Sequence, residues 1–538
     1  MTTRLLHLEG GPASEILILI LSVVVSGRGC VASELEALVS FKKSFIDPTG
    51  LLSTWRGEDC CGWKGIQCDS HTGHVFKLGL SGPEDSMVEP SLSGQIMNSS
   101  IIASLQHLRY LDLSFIEIID HGTREPFSFS GNLNNLRYLN LWYAGFPDSI
   151  PSNTYPYESD LTWLPQLSSL TSLDMSGLNL SSARDWVRKV NMLPNLRTLS
   201  LSACYLDNTI STLSHSNLTH LEILDLSFSP LYSLLQYNWF WDMTLRNLCN
   251  LQVVNLDQNS INRDMMERLP QCSWSKLHEL RSQTANLSAQ LPVWIGNLTN
   301  LNYLDISQNM LVGSIPFGIG NMRRNLTSLT DLCLSRNMLN GSLPFRIGTM
   351  RSLSYLDLSD NMLAGDIASS SLSMLHLRNN NLSGEFPRFL QNATELSFLD
   401  LLYNKFSGIV LILRSDMFHD HLPKQLTSLI GLHYLDIAHN NLSGSIPSSL
   451  ASSDSISTFI KGQELNCTHE FTKHTVLIDL SSNGFTGHIT KELSSLKGLR
   501  SLNLSNNEIS GSISNDIGSL KRLESLNLSY NHFNGKIP

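Results

Sequence analysis

Aliphatic residues recur along this chain at fixed spacing, in the phrase L-x-x-L-x-L-S-x-N-x-L-S-G-x-I-P. The phrase is clearest over residues 301–316, 353–367, 432–447 and 523–538. Because side chains alternate along a strand, both members of the L-x-L pair face one side of the chain, and the residues beside them face the other. Each copy of the phrase therefore predicts a short β-strand with one buried side and one exposed side.

The first residue of each L-x-L pair marks a candidate coil, and the commonest spacing between marks is 24 residues. The marks are Leu78, Leu111, Leu139, Leu173, Leu199, Leu224, Val254, Leu280, Leu304, Leu332, Leu356, Leu375, Leu399, Leu411, Leu435, Ile478, Leu502 and Leu526. This period is typical of leucine-rich repeats. We therefore predict an α/β leucine-rich-repeat solenoid, a curved horseshoe or superhelix with parallel strands on its concave face.

An asparagine closes most of the predicted strands, at Asn259, Asn309, Asn337, Asn361, Asn380, Asn404, Asn440, Asn483, Asn507 and Asn531. We expect its carboxamide to turn inward and bond to backbone groups of adjacent coils, each bond contributing about 0.5–1.5 kcal/mol net. Other residues fill this slot in early coils, namely Ile116, Ala144, Leu178, Cys204, Ser229 and Ala285. The amino-terminal half should therefore be less regular.

Three gaps between marks depart from the period. Only 19 residues separate Leu356 from Leu375, which predicts an internal deletion. Only 12 residues separate Leu399 from Leu411, which predicts a shortened coil that restarts at Leu411. In contrast, 43 residues separate Leu435 from Ile478, which predicts an inserted island over residues 448–475. Such islands usually lie on one face of a solenoid, often the binding face.

The first 29 residues have the pattern of a secretory signal peptide, with Arg4, an apolar run over residues 16–25, and small residues at Gly27 and Gly29. No later stretch approaches the roughly 20 apolar residues of a membrane helix. We therefore expect a secreted, extracellular chain without a membrane span of its own, and a single-pass plasma-membrane location for any longer form.

Residues 30–74 should form a cap that seals the first coil. Ser33 to Glu36 match a capping box, which predicts a helix that begins at Ser33 and continues until Pro48 stops it. Four of the nine cysteines cluster in this region. Neighbouring Cys60 and Cys61 should not pair with each other; we favour Cys30 with Cys60 and Cys61 with Cys68, although the sequence leaves other pairings open.

Two further cysteines, Cys249 and Cys272, lie about one repeat apart and could staple neighbouring coils. The odd total predicts at least one thiol that is free or intermolecular. Secretion also agrees with the N-x-S/T sequons at Asn98, Asn179, Asn217, Asn286, Asn297, Asn325, Asn340, Asn381, Asn392, Asn441, Asn466, Asn503 and Asn527.

Charge and motifs exclude several functional classes. The net charge of −10 and the absence of a basic run argue against nucleic acid as a partner. His469 and His474 are five residues apart, whereas a zinc-protease helix needs two histidines four apart on one face. No nucleophile elbow, P-loop or kinase signature occurs. We therefore predict no enzyme activity, no cofactor and no metal.

Recognition is best sought at exposed positions just after each strand, because packing constrains them least. Aromatic and arginine side chains contribute most to interface energy. The candidate ligand contacts are Phe115, Trp142, Tyr143, Phe228, Arg336, Arg378 and Tyr403. A column of aspartates that includes Asp112 and Asp305 has two interpretations, attraction of a basic ligand or, favoured here, a structural role in the repeated phrase.

Three features together resemble plant receptor-like proteins with extracellular leucine-rich repeats: the cap sequence from Cys60 to Cys68, the L-S-G-x-I-P repeats, and the late island containing residues 461–465. The resemblance implies a cell-surface receptor without a kinase domain. Such a receptor binds a peptide, protein or glycan ligand in defence or development and signals through receptor-kinase partners.

The expected organisation is a signal peptide (1–29), a cap (30–74), a solenoid (75–447), the island (448–475) and an incomplete solenoid without a carboxyl-terminal cap (476–538). Two alternatives stay open. One is a secreted inhibitor or decoy that binds microbial wall-degrading enzymes, and the other is a non-functional, truncated receptor fragment.

Overall fold

The computed structural model describes residues 29–82, 92–94, 104–118, 133–144, 161–181, 183, 185–206, 216–229, 248–260, 274–320, 326, 328–344, 347, 350–365, 372–384, 396–409, 434–446, 476–489, 491–496 and 498–537. They fall into two units, Met1–Ser211 (unit 1) and Thr212–Pro538 (unit 2). Several predicted features lie outside the described residues: the signal segment up to residue 28, Leu411, the island 448–475, Cys272, and the sequons at Asn98, Asn325, Asn392 and Asn466.

Unit 1 begins with the cap, which combines the helix Ala32–Lys43, the 3-10 turn Cys60–Gly62 and the strand Ile66–Cys68. That strand pairs antiparallel with Val75–Gly79, the first strand of the repeats. Disulfides join Cys30 to Cys60 and Cys61 to Cys68, which is the pairing favoured from the sequence.

The predicted capping box is wrong. The helix starts at Ala32 with Val31 as its N-cap, and no side chain caps it, so Ser33 lies within the first turn. In the same turn Glu34 is buried, and its carboxylate bonds outside the helix. The helix also ends at Lys43, well before Pro48, because the chain continues into the strand Phe45–Ile46.

The repeats of unit 1 form a parallel sheet, which we call the main ladder of unit 1. Leu78, Leu111, Leu139, Leu173 and Leu199 lie opposite one another in its register and are buried. Its strands are Val75–Gly79, Tyr110–Asp112, Tyr138–Asn140, Ser172–Asp174 and Thr198–Ser200. The short helix Trp186–Val190 and the 3-10 turn Leu164–Gln166 lie between strands.

Unit 2 has a main ladder of the same kind. Its strands are Ile223–Asp225, Val253–Asn255, Glu279–Arg281, Tyr303–Asp305, Asp331–Cys333, Tyr355–Asp357, Met374–His376, Phe398–Asp400, Tyr434–Asp436, Val476–Asp479, Leu499–Asn503 and Ser525–Asn527. Leu399 pairs directly with Leu435. This direct pairing leaves no place in the ladder for a further strand between Leu399 and Leu435, so the prediction of a separate coil at Leu411, which lies outside the described residues, is wrong. Leu435 likewise pairs directly with Ile478 across the long gap.

Short edge strands, which the sequence analysis did not predict, follow the asparagine slot. In unit 2 they are Val312–Gly313, Met338–Ser342, Met362–Ala364, Ser383–Gly384, Lys405–Ile409, Asn441–Ser445, Gly484–Thr486, Ser510–Gly511 and His532–Phe533. Each follows one of the predicted asparagines by one to three residues, from Asn309 to Asn531. Unit 1 has Phe45–Ile46, Ser93–Gly94 and Glu117–Ile118. Further 3-10 turns are Val293–Asn297, Phe317–Gly320, Lys491–Ser495 and Asn515–Ser519.

The predicted inward turn of the asparagines is confirmed. The Nδ2 group of Asn309 donates to the carbonyls of Ile306, Ser307 and, one coil earlier, Ser282 at 2.8 Å. Its Oδ1 accepts the N–H groups of Ala285 and Leu287 at 2.9 and 3.0 Å. The other predicted asparagines repeat the three donated bonds. Because Oδ1 of the asparagine accepts backbone N–H groups of the preceding coil, it holds the chains of the two coils side by side after the slot. This alignment explains why edge strands follow the asparagine.

Other cysteines fill structural positions. Cys204 occupies an asparagine slot, where its buried thiol donates to the Met175 carbonyl at 3.1 Å, as a weak replacement for the missing carboxamide. Cys249 and Cys333 are disulfide-bonded to partners outside the described residues. Within the described part of the chain, the helices are too short or too polar to cross a membrane.

Candidate functional site

Each main ladder exposes one side, which we call its ladder face. Three columns of residues run along it. The first column contains the first residue of each three-residue strand, such as Tyr110, and the Asp column contains the third residue, such as Asp112. The turn column contains the residue three positions after the Asp column, such as Phe115. Parallel register aligns equivalent residues of successive coils, so each column is continuous within its unit.

The turn column contains most of the predicted ligand contacts, and its backbone is held in an unusual conformation. Its members have positive φ: Phe115, Tyr143, Gly177, Ala203, Phe228, Gln258, Thr284, Gln308, Arg336, Asp360, Asn379, Tyr403, His439, Ser482, Asn506 and Tyr530. The left-handed conformation costs non-glycine residues roughly 1–2 kcal/mol. It is maintained here because the N–H of most members donates to a carbonyl of the next coil, as from Phe115 to the Trp142 carbonyl at 2.9 Å. The backbone of this column is fixed, whereas its side chains vary.

The Asp column closes this turn. Each carboxylate accepts the backbone N–H two residues further on, as Asp305 does from Ser307 at 2.9 Å and Asp357 from Ser359 at 3.0 Å. Asparagines perform the same role in the coils of Asn140 and Asn503. Burial raises the pKa of Asp305. These bonds favour the structural interpretation of the aspartates over attraction of a basic ligand.

Three of the predicted contacts meet in unit 1. The ring of Phe115 lies 4.7 Å from that of Trp142 and 6.1 Å from that of Tyr143, and the last two are 6.0 Å apart. Phe115 and Trp142 are half-buried, whereas Tyr143 is exposed. Unit 1 therefore has an aromatic cluster on its ladder face.

A second aromatic group, which was not predicted from the sequence, lies in the same two coils. Tyr110 and Tyr138, paired in the first column, stack with ring centroids 4.2 Å apart and planes 2° apart. The ammonium group of Lys77 lies 4.4 Å from the centroid of Tyr110. Burial raises the pKa of both tyrosines, which remain neutral hydrogen-bonding groups at physiological pH. In the sequence, these two residues are marked by a tyrosine directly before the L-x-L pair in both coils.

Two more of the predicted contacts meet in unit 2. The guanidinium of Arg378 lies 5.8 Å from the ring centroid of Tyr403, and the other neighbour of Tyr403 is His439, stacked at 4.4 Å. Arg336 instead lies 3.7 Å from the carboxylate of Asp360. Phe228 also belongs to unit 2, where it is 59% exposed. Three of the predicted contacts thus belong to unit 1 and four to unit 2.

Unit 2 also contains a buried aromatic group on its ladder. His376 interrupts the Asp column between Asp357 and Asp400, and its ring lies 5.3 Å from that of Tyr355 and 4.1 Å from that of Phe398. Burial lowers the pKa of His376 and raises the pKa of Asp400 to about 7. This group packs within the structure and lacks the exposure of the turn column.

Predicted glycosylation sites differ in accessibility. Asn217, Asn286, Asn297, Asn340, Asn381 and Asn527 are exposed, and Asn179 and Asn503 are half-buried. The Nδ2 group of Asn503, to which a glycan would attach, donates to Asp479 at 2.9 Å. Asn441 lies on an edge strand.

Comparison with known families agrees with the fold. The leucine rich repeat N-terminal domain matches residues 31–69, and leucine rich repeat families match residues 300–322, 371–393, 431–453 and 474–533. Receptor-like protein EIX2 of Solanum lycopersicum is 30% identical over 308 residues, and receptor-like protein Cf-9 of Solanum pimpinellifolium is 28% identical over 254. This chain is a leucine-rich-repeat protein, and its relatives are plant receptor-like proteins.

Those alignments include 53% and 46% of this leucine-rich-repeat chain but only 29% and 26% of the respective relatives. It therefore corresponds to less than a third of their length. The families that match are repeat and cap families, and none of them is catalytic.

Solved structures share the fold over most of the chain. The plant peptide hormone receptor RGFR1 in complex with RGF2 superimposes with a TM-score of 0.60 at 24% identity, covering 88% of this chain and 72% of the receptor. The Arabidopsis receptor kinase HAESA, in complex with the peptide hormone IDA and the co-receptor SERK1, superimposes with a TM-score of 0.56 at 25% identity, covering 94% and 87%.

Proposed function

We propose that this chain is the ligand-recognition part of a plant cell-surface receptor, which perceives a pathogen or developmental signal and acts through partner receptor kinases. The observation that carries the proposal is the turn column. It holds aromatic, arginine and small polar side chains on one fixed backbone geometry, so that recognition chemistry varies without disturbing the fold. Such pre-organisation lowers the entropic cost of binding.

The candidate contacts are the cluster of Phe115, Trp142 and Tyr143 in unit 1, and in unit 2 Phe228, Arg336, Arg378 and Tyr403. Aromatic and arginine side chains dominate interface energies when a partner covers them. We propose a ligand of peptide, protein or glycan class. The relatives named as receptor-like proteins support the receptor role, and the HAESA structure solved with a peptide hormone supports a peptide ligand. We place the chain in the secretory pathway and outside the cell.

The test uses the full chain secreted from plant cells, so that disulfides and glycans form. We expect saturable, specific binding to a synthetic peptide or oligosaccharide from an immobilised panel. Binding should weaken about tenfold or more in Tyr403→Ala or Tyr143→Ala. Ser482→Ala is the matched control, because it changes a small side chain in the same column.

A second measurement addresses the partner. Because the HAESA structure contains the co-receptor SERK1, the soluble SERK1 ectodomain is a suitable probe for ligand-dependent association with this chain. Binding that the turn-column variants leave unchanged would contradict the proposal. Inhibition of a microbial wall-degrading enzyme, without kinase association, would support the secreted-inhibitor alternative instead.

A further inference from the structure

The ladder face of unit 1 changes character between neighbouring coils. The coil of Tyr138 carries large rings, Tyr138, Trp142 and Tyr143, and Phe115 packs against them from the preceding coil. We call Phe115, Tyr138, Trp142 and Tyr143 the aromatic wall. The next two coils carry only small side chains at the equivalent positions, apart from Asp174. Their hydroxyl residues, which we call the hydroxyl floor, are Ser172, Ser176, Thr198, Ser200 and Ser202.

Specific contacts hold the junction between wall and floor. A Cβ atom at Gly177 would lie 3.1–3.2 Å from three ring carbons of Tyr143, so the absence of a side chain lets the ring lie against the floor. In the floor, the hydroxyls of Ser176 and Ser200 are 2.8 Å apart, and the Ser202 N–H donates to Ser176 at 3.2 Å. Wall and floor are therefore built into the packing of consecutive coils.

Charge narrows the class of ligand. Over these three coils, Asp174 is the charged side chain within the described strands and turns, and its carboxylate already accepts the Ser176 N–H at 2.9 Å. Arg137 and Arg197 are exposed just before two of the strands. The ladder face of unit 2, by contrast, carries several charged residues, including Asp257, Arg281 and Arg378. A strongly charged peptide would find few counter-charges on the wall and floor. A neutral, hydrogen-bonding ligand suits them better.

We propose that the aromatic wall and hydroxyl floor of unit 1 bind a neutral sugar chain. A pyranose ring has an apolar face of C–H groups, which packs on an aromatic ring, and a rim of hydroxyls that must be hydrogen-bonded when covered. Serine and threonine hydroxyls both donate and accept, so they pair with sugar hydroxyls in either role. The inference rests on the proposed function, since it names the ligand class for part of the same surface.

The test is calorimetric titration of the full secreted chain with cellohexaose, xylohexaose and chitohexaose, and with hexagalacturonate as the charged comparator. We expect at least one neutral oligosaccharide to bind saturably. Trp142→Ala and Tyr143→Ala should each weaken that binding about tenfold. Ser172→Tyr should abolish it, because a ring there fills the floor. The fold should tolerate this change, since Tyr110 and Tyr138 occupy the same column.

Tyr530→Ala is the matched control, because it removes an exposed aromatic ring of the turn column of unit 2 that is not a candidate contact, and it should leave sugar binding unchanged. Thermal unfolding of each variant checks that the fold survives. The proposal is overturned if no neutral oligosaccharide binds up to its solubility limit, if binding survives Ser172→Tyr in a folded variant, or if hexagalacturonate binds best and is released by salt. Retained, ligand-dependent association with a receptor kinase in those cases would leave the proposed receptor function standing.

Discussion

The carboxylate of Glu34 accepts the backbone N–H of Val75 at 2.8 Å, across 41 residues of sequence. Its second oxygen lies 3.0 Å from Nδ1 of His74, whose ring is 3.8 Å from that of His107. One buried side chain of the cap helix thus fastens the first strand of the repeats to the cap. This contact explains why a charged residue occupies the buried side of that helix.

Removal of this contact should loosen the cap. We expect Glu34→Ala to lower the free energy of unfolding by about 1–3 kcal/mol, because the buried Val75 N–H loses its acceptor. Glu34→Gln should cost less, since its amide oxygen can still accept. Amide hydrogen exchange at Val75 is the measurement. Glu36→Ala, at an exposed position of the same helix, is the control, and an equal effect from both alanine variants would contradict this account.

The asparagine slot allows a comparison between two coils. Asn309 and Asn259 each donate three hydrogen bonds. Oδ1 of Asn309 also accepts hydrogen bonds from two backbone N–H groups, whereas Oδ1 of Asn259 accepts none from the described residues. Asn309→Ala should therefore destabilise unit 2 by about 1–3 kcal/mol more than Asn259→Ala, since it orphans two buried donors. Urea denaturation measures the difference, and hydrogen exchange at Ala285 and Leu287 should localise it.

Two neighbouring members of the turn column should respond in opposite directions. Gly177 has φ of 77° and faces the ring of Tyr143, so Gly177→Ala should destabilise unit 1 by about 1–2 kcal/mol. Ala203 occupies the same position in the next coil with φ of 55°, and Ala203→Gly relieves its strain. We expect that change to be neutral or stabilising. Thermal unfolding of both variants measures the two changes in stability. A larger loss of stability in Ala203→Gly than in Gly177→Ala would contradict the left-handed backbone strain at Ala203.

Stability of unit 2 should depend on the ionisation of Asp400. Burial raises its pKa to about 7 from an ordinary value of 3.8. The folded chain thus retains a proton that the unfolded chain releases, so this stabilisation is complete below about pH 4 and is lost as the pH rises through about 7. Asp400→Asn cannot ionise, yet it can still accept the Leu402 N–H. We expect the variant to gain stability over the parent chain progressively from pH 4 to pH 8, measured by urea denaturation.

Two other titratable groups, His376 and Asp69, also make the stability of the chain depend on pH. Burial lowers the pKa of the neighbouring His376, which favours the folded state at higher pH and opposes Asp400. The free energy of unfolding of Asp400→Asn is therefore compared with that of the parent chain at each pH. The backbone N–H groups of Thr72 and His71 lower the pKa of Asp69, so Asp69→Asn should lose stability at neutral pH and match the parent in acid. Identical pH profiles for Asp400→Asn and the parent chain would count against a buried, protonated Asp400.

Much of the fold was predictable because its contacts join residues one period apart. The L-x-L spacing located the strands of both main ladders, and the asparagine slot located the carboxamides that bond to adjacent coils. Cysteine spacing also indicated the two disulfides of the cap. At the candidate site, the clustering of Phe115, Trp142 and Tyr143 followed from their place in neighbouring coils.

Other features had no signal in residue type. Phenylalanine, arginine and glutamine give no indication of a left-handed backbone, yet Phe115, Arg336 and Gln308 all adopt it. The segment at Leu411 has the repeat pattern, but the register passes from Leu399 directly to Leu435. Glu34 is buried, although a charged residue type gives no indication of burial.

The sequence by itself determined the period, the buried leucines and the polar residues that close each turn, because these depend on spacing along a single coil and its immediate neighbour. Only the tertiary structure decided which coils are adjacent, where backbone N–H groups find carbonyls, and that the ring of Tyr143 lies against Gly177. Those outcomes depend on stacking, since a coil's backbone conformation and exposed surface are fixed by hydrogen bonds to the coil that follows it.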